Sequence, residues 1–194
     1  TSSRRSNQQT QSISSEWNSN LNNILNNACD WLKNKEEGDM YFVALGGAGK
    51  SAGTQEYVMF MNYISKSTTY TQLYPLAMNT LNATFCGVNA SNVQGINLIN
   101  QISGFSDAEN SQTKALAYTL IALDSNAYTV PDNSVLTRET LRQHLMKRQL
   151  ENGSFQMLDE KDNALETTAL ALTALSGYSS DDNTQSALKK GVEY

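Results

Sequence analysis

The chain has 194 residues, 39% apolar, 8% aromatic and 17% charged, with 14 basic and 19 acidic side chains for a net charge of −5. That length suits one domain with a sizeable core, and the acidic balance excludes the clustered Lys and Arg of a nucleic-acid binder. No apolar run approaches the roughly 18 residues of a membrane-spanning helix, so no membrane span is expected.

Residues 1–15 are mostly Ser, Gln and Thr around Arg4-Arg5, without periodic apolar positions. Such a segment buries too little surface to offset its ordering entropy. It is expected to be a disordered linker or the N-terminal extension of a secreted chain whose signal peptide is gone. Residues 16–194 are read as the domain. Two kinds of helix follow in alternation. The first kind carries a single apolar stripe: Trp17, Leu21, Ile24, Leu25, Ala28 and Leu32 recur at three- and four-residue steps, as do Leu141, Leu145 and Met146. The second kind is apolar nearly all round, as in 40–45, 73–86, 115–123 and 169–175, and so is expected to be buried on both sides.

In chain order the spacing predicts outer helices over 17–34, 54–66, 92–103, 137–150 and from about 183, with inner helices over 39–48, 72–86, 111–124 and 164–177. Glycines at 38, 46–53, 87, 104 and 177 punctuate them. Thr137 is a candidate N-cap, Asp181-Asp182 caps the last helix, and Pro75 falls in a first turn where its missing N–H costs nothing. Adjacent hairpins of this kind give two concentric layers, a repeat protein curved toward a barrel. Cys29 and Cys86 lack a metal-type spacing and are read as two buried thiols, with a single disulfide as the alternative.

The most specific stretch is Leu145-Met-Lys-Arg-Gln149-Leu-Glu-Asn-Gly153-Ser-Phe155. Gln at a helix end is placed to bond backbone groups of the next turn, Gly to adopt the left-handed region, and the aromatic to plug the neighbouring hairpin. This stretch resembles the QW repeat of squalene-hopene-type cyclases, and Asn27–Leu32 and Lys190–Tyr194 match its front half. The helix pattern over 17–194 resembles the terpenoid cyclase and protein prenyltransferase superfamily. Together with Leu120–Ser125 and Leu165–Leu175, the motif wording is most similar to bacterial surface proteins with a prenyltransferase-like toroid, relatives of the α-domain of transcobalamin and intrinsic factor. The resemblance implies an all-α fold, an α/α toroid. Because the motif restarts at Lys190–Tyr194, the barrel is expected to be incomplete, with self-association through its open edge.

The resemblance also implies what chemistry to look for. The cyclases' Asp-x-Asp-Asp acid, the prenyltransferases' Asp/Cys/His zinc site and the Cys-Gly-Glu-Gln thioester are all missing, and the one His144 falls in the motif's aromatic slot. No catalytic or metal-ligating residue is assigned. Polar groups at inner-helix starts are expected to face the mouth of the central space: Asp39, Tyr41, Tyr74, Gln112, Lys114, Glu166 and Thr167, with Tyr118 one turn deeper. Glu166-Thr167 stands where cobalamin carriers have a ligand-facing Asp-Thr pair, a conservative departure. No resident cofactor is expected, and a cobalamin-like ligand is the small molecule the resemblance implies. The leading expectation is a non-catalytic, extracellular or cell-surface module binding a small molecule or partner domain. A cyclase or prenyltransferase with its catalytic site outside these residues is the alternative. A third is a P-loop nucleotide binder, since Ala44–Ser51 fits a relaxed phosphate-loop pattern behind a strand at 41–45, with Leu120–Asp124 as a second strand.

Overall fold

The computed structural model describes residues 2–33, 40–50, 54–66, 69–158 and 163–194, and for 2–17 the backbone alone. Among the described residues the regular elements are helical: α1 (Ser2–Lys33), α2 (Tyr41–Gly47), α3 (Thr54–Lys66), α4 (Leu73–Phe85), α5 (Leu98–Ser103), α6 (Thr113–Asp124), α7 (Arg138–Lys147), α8 (Ala164–Ser176) and α9 (Asp182–Val192), with a 3-10 turn at Ala108–Asn110. The all-α expectation is met.

Helices α2, α4, α6 and α8 pack side by side in chain order, while α5, α7 and α9 pack against α4, α6 and α8 in turn. The central pair is buried nearly all round. Leu76, Ala77 and Ala83 of α4 and Leu116, Ala117, Leu120 and Leu123 of α6 are fully shielded. The buried hydroxyls of Thr80 and Thr119 donate to the carbonyls of Leu76 (2.8 Å) and Ala115 (2.7 Å), so neither hydroxyl is stranded by that burial. Helix α8 departs from the expectation of two buried faces: Thr167, Thr168, Ala171 and Leu175 are buried, but Leu165, Ala169 and Thr173 are exposed. Its sequence is as apolar as that of α6, but α6 lies between two inner neighbours and α8 packs chiefly on α6 and α9.

The helix ends follow local chemistry. Thr137 accepts from the Thr140 amide in a capping box, Asn163 accepts from the amides of Leu165 and Glu166, and Asp181 accepts from the Thr184 amide. Helix α5 starts six residues later than periodicity suggests. Gln94 and Gly95 sit at φ +51° and +86° in a tight turn closed by Val93 and Ile96, and Asn97 then caps a single short helix. Helix α1 takes in the segment assigned by composition to a linker. From Asn18 to Asp30 its side chains are exposed except for buried Cys29. Cys29 and Cys86 are both free thiols, Cys86 half-buried, and burial pushes the Cys86 thiol up to about 12.

The motif at 145–155 acts as a joint between outer helices. The Gln149 side-chain amide donates to the Gly153 carbonyl (3.1 Å) in its own turn and to the Ala187 carbonyl (2.8 Å) in α9. Gly153 sits at φ +94°, and a Cβ there would stand 2.2 Å from the Lys190 carbonyl oxygen. Phe155 is buried, and its amide donates to the Thr168 hydroxyl of α8 (3.0 Å). The three motif residues thus tie α7 to the hairpin that follows it.

Candidate functional site

Side chains four and then three or four apart on one helix share a face. Tyr74, Met78 and Leu81 of α4 and Lys114, Tyr118 and Ile121 of α6 therefore share one face of each helix, where Tyr74 and Ile121 still touch the main core. There Met78, Leu81 and Ala122 form a second, smaller apolar cluster, against which Val43, Tyr74, Tyr118 and Ile121 pack. The rings of Tyr74 and Tyr118 meet edge-to-face at 5.8 Å between centroids. Lys114 pairs with Glu166 across α6 and α8 at 3.3 Å. Burial first, and then the neighbouring Glu166 carboxylate, holds the Tyr118 phenol above its ordinary value, with Lys114 pulling the other way.

At the starts of α4 and α6 this face opens into a cavity of about 420 Å³ lined by Thr71, Gln72, Leu73, Tyr74, Phe105, Asp107, Asn110, Ser111, Gln112 and Ala115. The loop 104–112 forms its far wall, held by the Ser111 amide bonded to the Ala108 carbonyl and by Asn110 donating to Asp107 (2.6 Å). Arg148 at the end of α7 braces the same loop through the carbonyls of Glu109 and Ser111.

The expected ring of polar groups is therefore partly assembled. Tyr74 and Gln112 line the cavity, Tyr118 packs on the adjoining cluster, and Lys114 and Glu166 pair with each other nearby. Tyr41 and Thr167 do not join them. Tyr41 is 6% exposed in the main core with its ring edge-on to Phe42 (5.1 Å), and Thr167 is fully buried. Both sit at the right place along their helices but on the core-facing side. Asp39 lies outside the described residues. Sequence reasoning missed Gln72, Phe105, Asp107 and Asn110, whose only signal is their place in polar segments leading into inner helices.

The opposite ends of α6 and α8 carry a different arrangement. The Tyr178 hydroxyl donates to both Asp124 oxygens (3.0 and 2.8 Å), and Arg138 bonds Asp124 (2.6 Å) and the Leu123 carbonyl. Each group is satisfied by the others, which makes this a tie between helix ends. Among the described residues, no group of three or more His, Cys, Asp and Glu side chains is placed to hold a metal ion, and no helix is long and apolar enough to cross a membrane. The strand that a phosphate loop requires before its glycines is also missing, because Tyr41–Gly47 is helix α2 and Leu120–Asp124 is part of α6. Gly49, at φ +68°, instead belongs to the turn that ends α2.

No family model, curated protein or solved structure matches this chain.

Proposed function

We propose that this chain is a non-catalytic ligand-binding module built as part of an α/α toroid, working outside the cell on a bacterial surface. The observation that carries the binding reading is the convergence of Tyr74 and Gln112, from the starts of two successive inner helices, on one 420 Å³ cavity. Its size falls within the range of small-molecule sites, and its wall sets polar side chains beside the aromatic rings of Tyr74 and Phe105. The side-by-side row α2, α4, α6, α8 with outer partners, and the Gln149 link from α7 to α9, support the toroid. The surface location is carried by the motif wording alone. In this reading the exposed face of α8 is the barrel's open edge and the place where copies of the chain self-associate.

The test is an NMR titration of the full chain against a fragment library, with farnesyl diphosphate and cobalamin included. At least one compound is expected to shift the amides of Gln72, Tyr74, Gln112 and Ala115, and to lose that effect in Gln112→Ala. A groove that no compound perturbs would remove the binding reading. Turnover of farnesyl diphosphate by this chain would remove the non-catalytic one.

A further inference from the structure

A second cavity of about 310 Å³ adjoins the first, and the two share Thr71 and Gln72 in their walls. Thr71 and Gln72, just before α4, border both, so the two open side by side along the start of α4. Aromatic rings recur in both, Tyr63 and Tyr70 in the smaller compartment and Tyr74 and Phe105 in the larger. Between the rings stand amides and hydroxyls. Among the described residues of the larger compartment's wall, the apolar ones are Leu73, Phe105 and Ala115.

This composition selects a ligand class. Asn110 and Ser111 are already bonded to Asp107, but a prenyl or acyl chain laid here would give no bond to the other polar groups it shields from water, at a cost of about 1–3 kcal/mol for each left unbonded. A polyanion would meet Asp107 and a single cation, Lys66, in a chain of net charge −5. A sugar ring fits both halves of the wall. Its C–H faces stack on aromatic rings, and its hydroxyls, each a donor and an acceptor, match amide groups that are both as well. Two compartments in line, each with aromatic side chains, suit several linked rings rather than one.

We infer that the groove from Tyr63 to Gln112 takes a neutral oligosaccharide, an inference that rests on the binding site proposed above and names its ligand class. Full-length chain is titrated with maltotetraose, cellotetraose and N-acetylchitotetraose, with their disaccharides, and separately with farnesyl diphosphate and inorganic phosphate. Calorimetry and amide NMR provide the readouts. At least one tetrasaccharide is expected to shift the amides of Gln72, Tyr74 and Gln112 and to bind about tenfold or more tighter than its disaccharide. Tyr74→Ala and Gln72→Ala are each expected to weaken it about tenfold; Gln72 is exposed and makes no capping bond, which keeps the test clear of folding defects, and an unchanged melting temperature confirms it. Equal affinity for di- and tetrasaccharide would overturn the two-compartment arrangement. Groove shifts from farnesyl diphosphate or phosphate with none from any saccharide would overturn the sugar assignment and leave the binding site standing. Silence from every probe would remove both.

Discussion

Gly153 combines two constraints that are separable by substitution. Its φ of +94° is costly for any residue with a Cβ, and the Lys190 carbonyl occupies the space that a Cβ would enter. Gly153→Ala is expected to lower the unfolding free energy by more than about 2 kcal/mol, read by urea denaturation. Gly49 has a positive φ with open space around it, so Gly49→Ala should cost less, about 1 kcal/mol; equal losses at the two sites would show that the α9 contact is unimportant. Gln149→Ala removes one bond within the turn and one to Ala187, and is expected to cost about 1–3 kcal/mol. The importance of these residues was legible because Gln, Gly and Phe stand at fixed spacing. Their partners in α9 were not, since nothing local in 145–155 names Ala187 or Lys190.

Arg142 makes the second tie between α7 and α9. Its guanidinium, about a tenth exposed, bonds Glu139 within α7, and Asp181 (2.7 Å) and Thr184 (2.6 Å) at the start of α9. The Arg142 hydrogen bond holds the Glu139 carboxyl below its usual value. The Thr184 backbone and side-chain bonds, with Arg142 behind them, do the same for Asp181. A carboxyl with a depressed folded value stabilises the fold above its unfolded pKa and loses that contribution as pH falls through the folded one. The melting temperature is therefore expected to drop as pH falls below about 4, and to drop less steeply in Arg142→Met. An identical acid profile in the variant would show that these carboxylates do not depend on Arg142. The inner helices are compared by truncation: Leu116→Ala in α6 should cost about 2–5 kcal/mol and Leu165→Ala in α8 about 0.5 kcal/mol or less. Sequence assigned both leucines to buried helices, yet Leu165 is 69% exposed because only tertiary neighbours decide which apolar face is covered. The late start of α5 was missed for a different reason: Gln94-Gly95 is a weak turn signal, and the apolar spacing of Val93 and Ile96 reads as helix until the positive φ angles show a turn.

At the scale of the molecule, the row of inner helices defines two surfaces with different tests. One is the groove along the starts of α4 and α6, whose ligand class the titrations above address. The other is marked by two exposed apolar side chains, Leu165 of α8 and Val192, 78% exposed, at the end of α9. Sedimentation velocity is expected to show association rising with concentration and reduced in Leu165→Lys with Val192→Lys. A wild-type chain that stays monomeric at high concentration would count against an edge that self-associates.

The sequence by itself marked each helix, though not the reach of α1 back to Ser2, and where most of them start and stop. It anticipated the shielding of α4 and α6 on both sides but not the open face of α8. Those properties follow from periodicity and capping, which act over a few residues. It also marked Tyr74, Gln112, Lys114, Tyr118 and Glu166, because polar residues at the start of an otherwise apolar helix are conspicuous. Only the tertiary structure decided that Tyr74 and Gln112 line one cavity, near Tyr118 and the Lys114–Glu166 pair, while Tyr41 and Thr167 turn into the core, and that Gln72, Phe105 and Asn110 complete the cavity. A helix fixes the spacing of its side chains along the axis. Its rotation against its neighbours, and the loop that closes over its end, depend on contacts far apart in the chain, which no local pattern records.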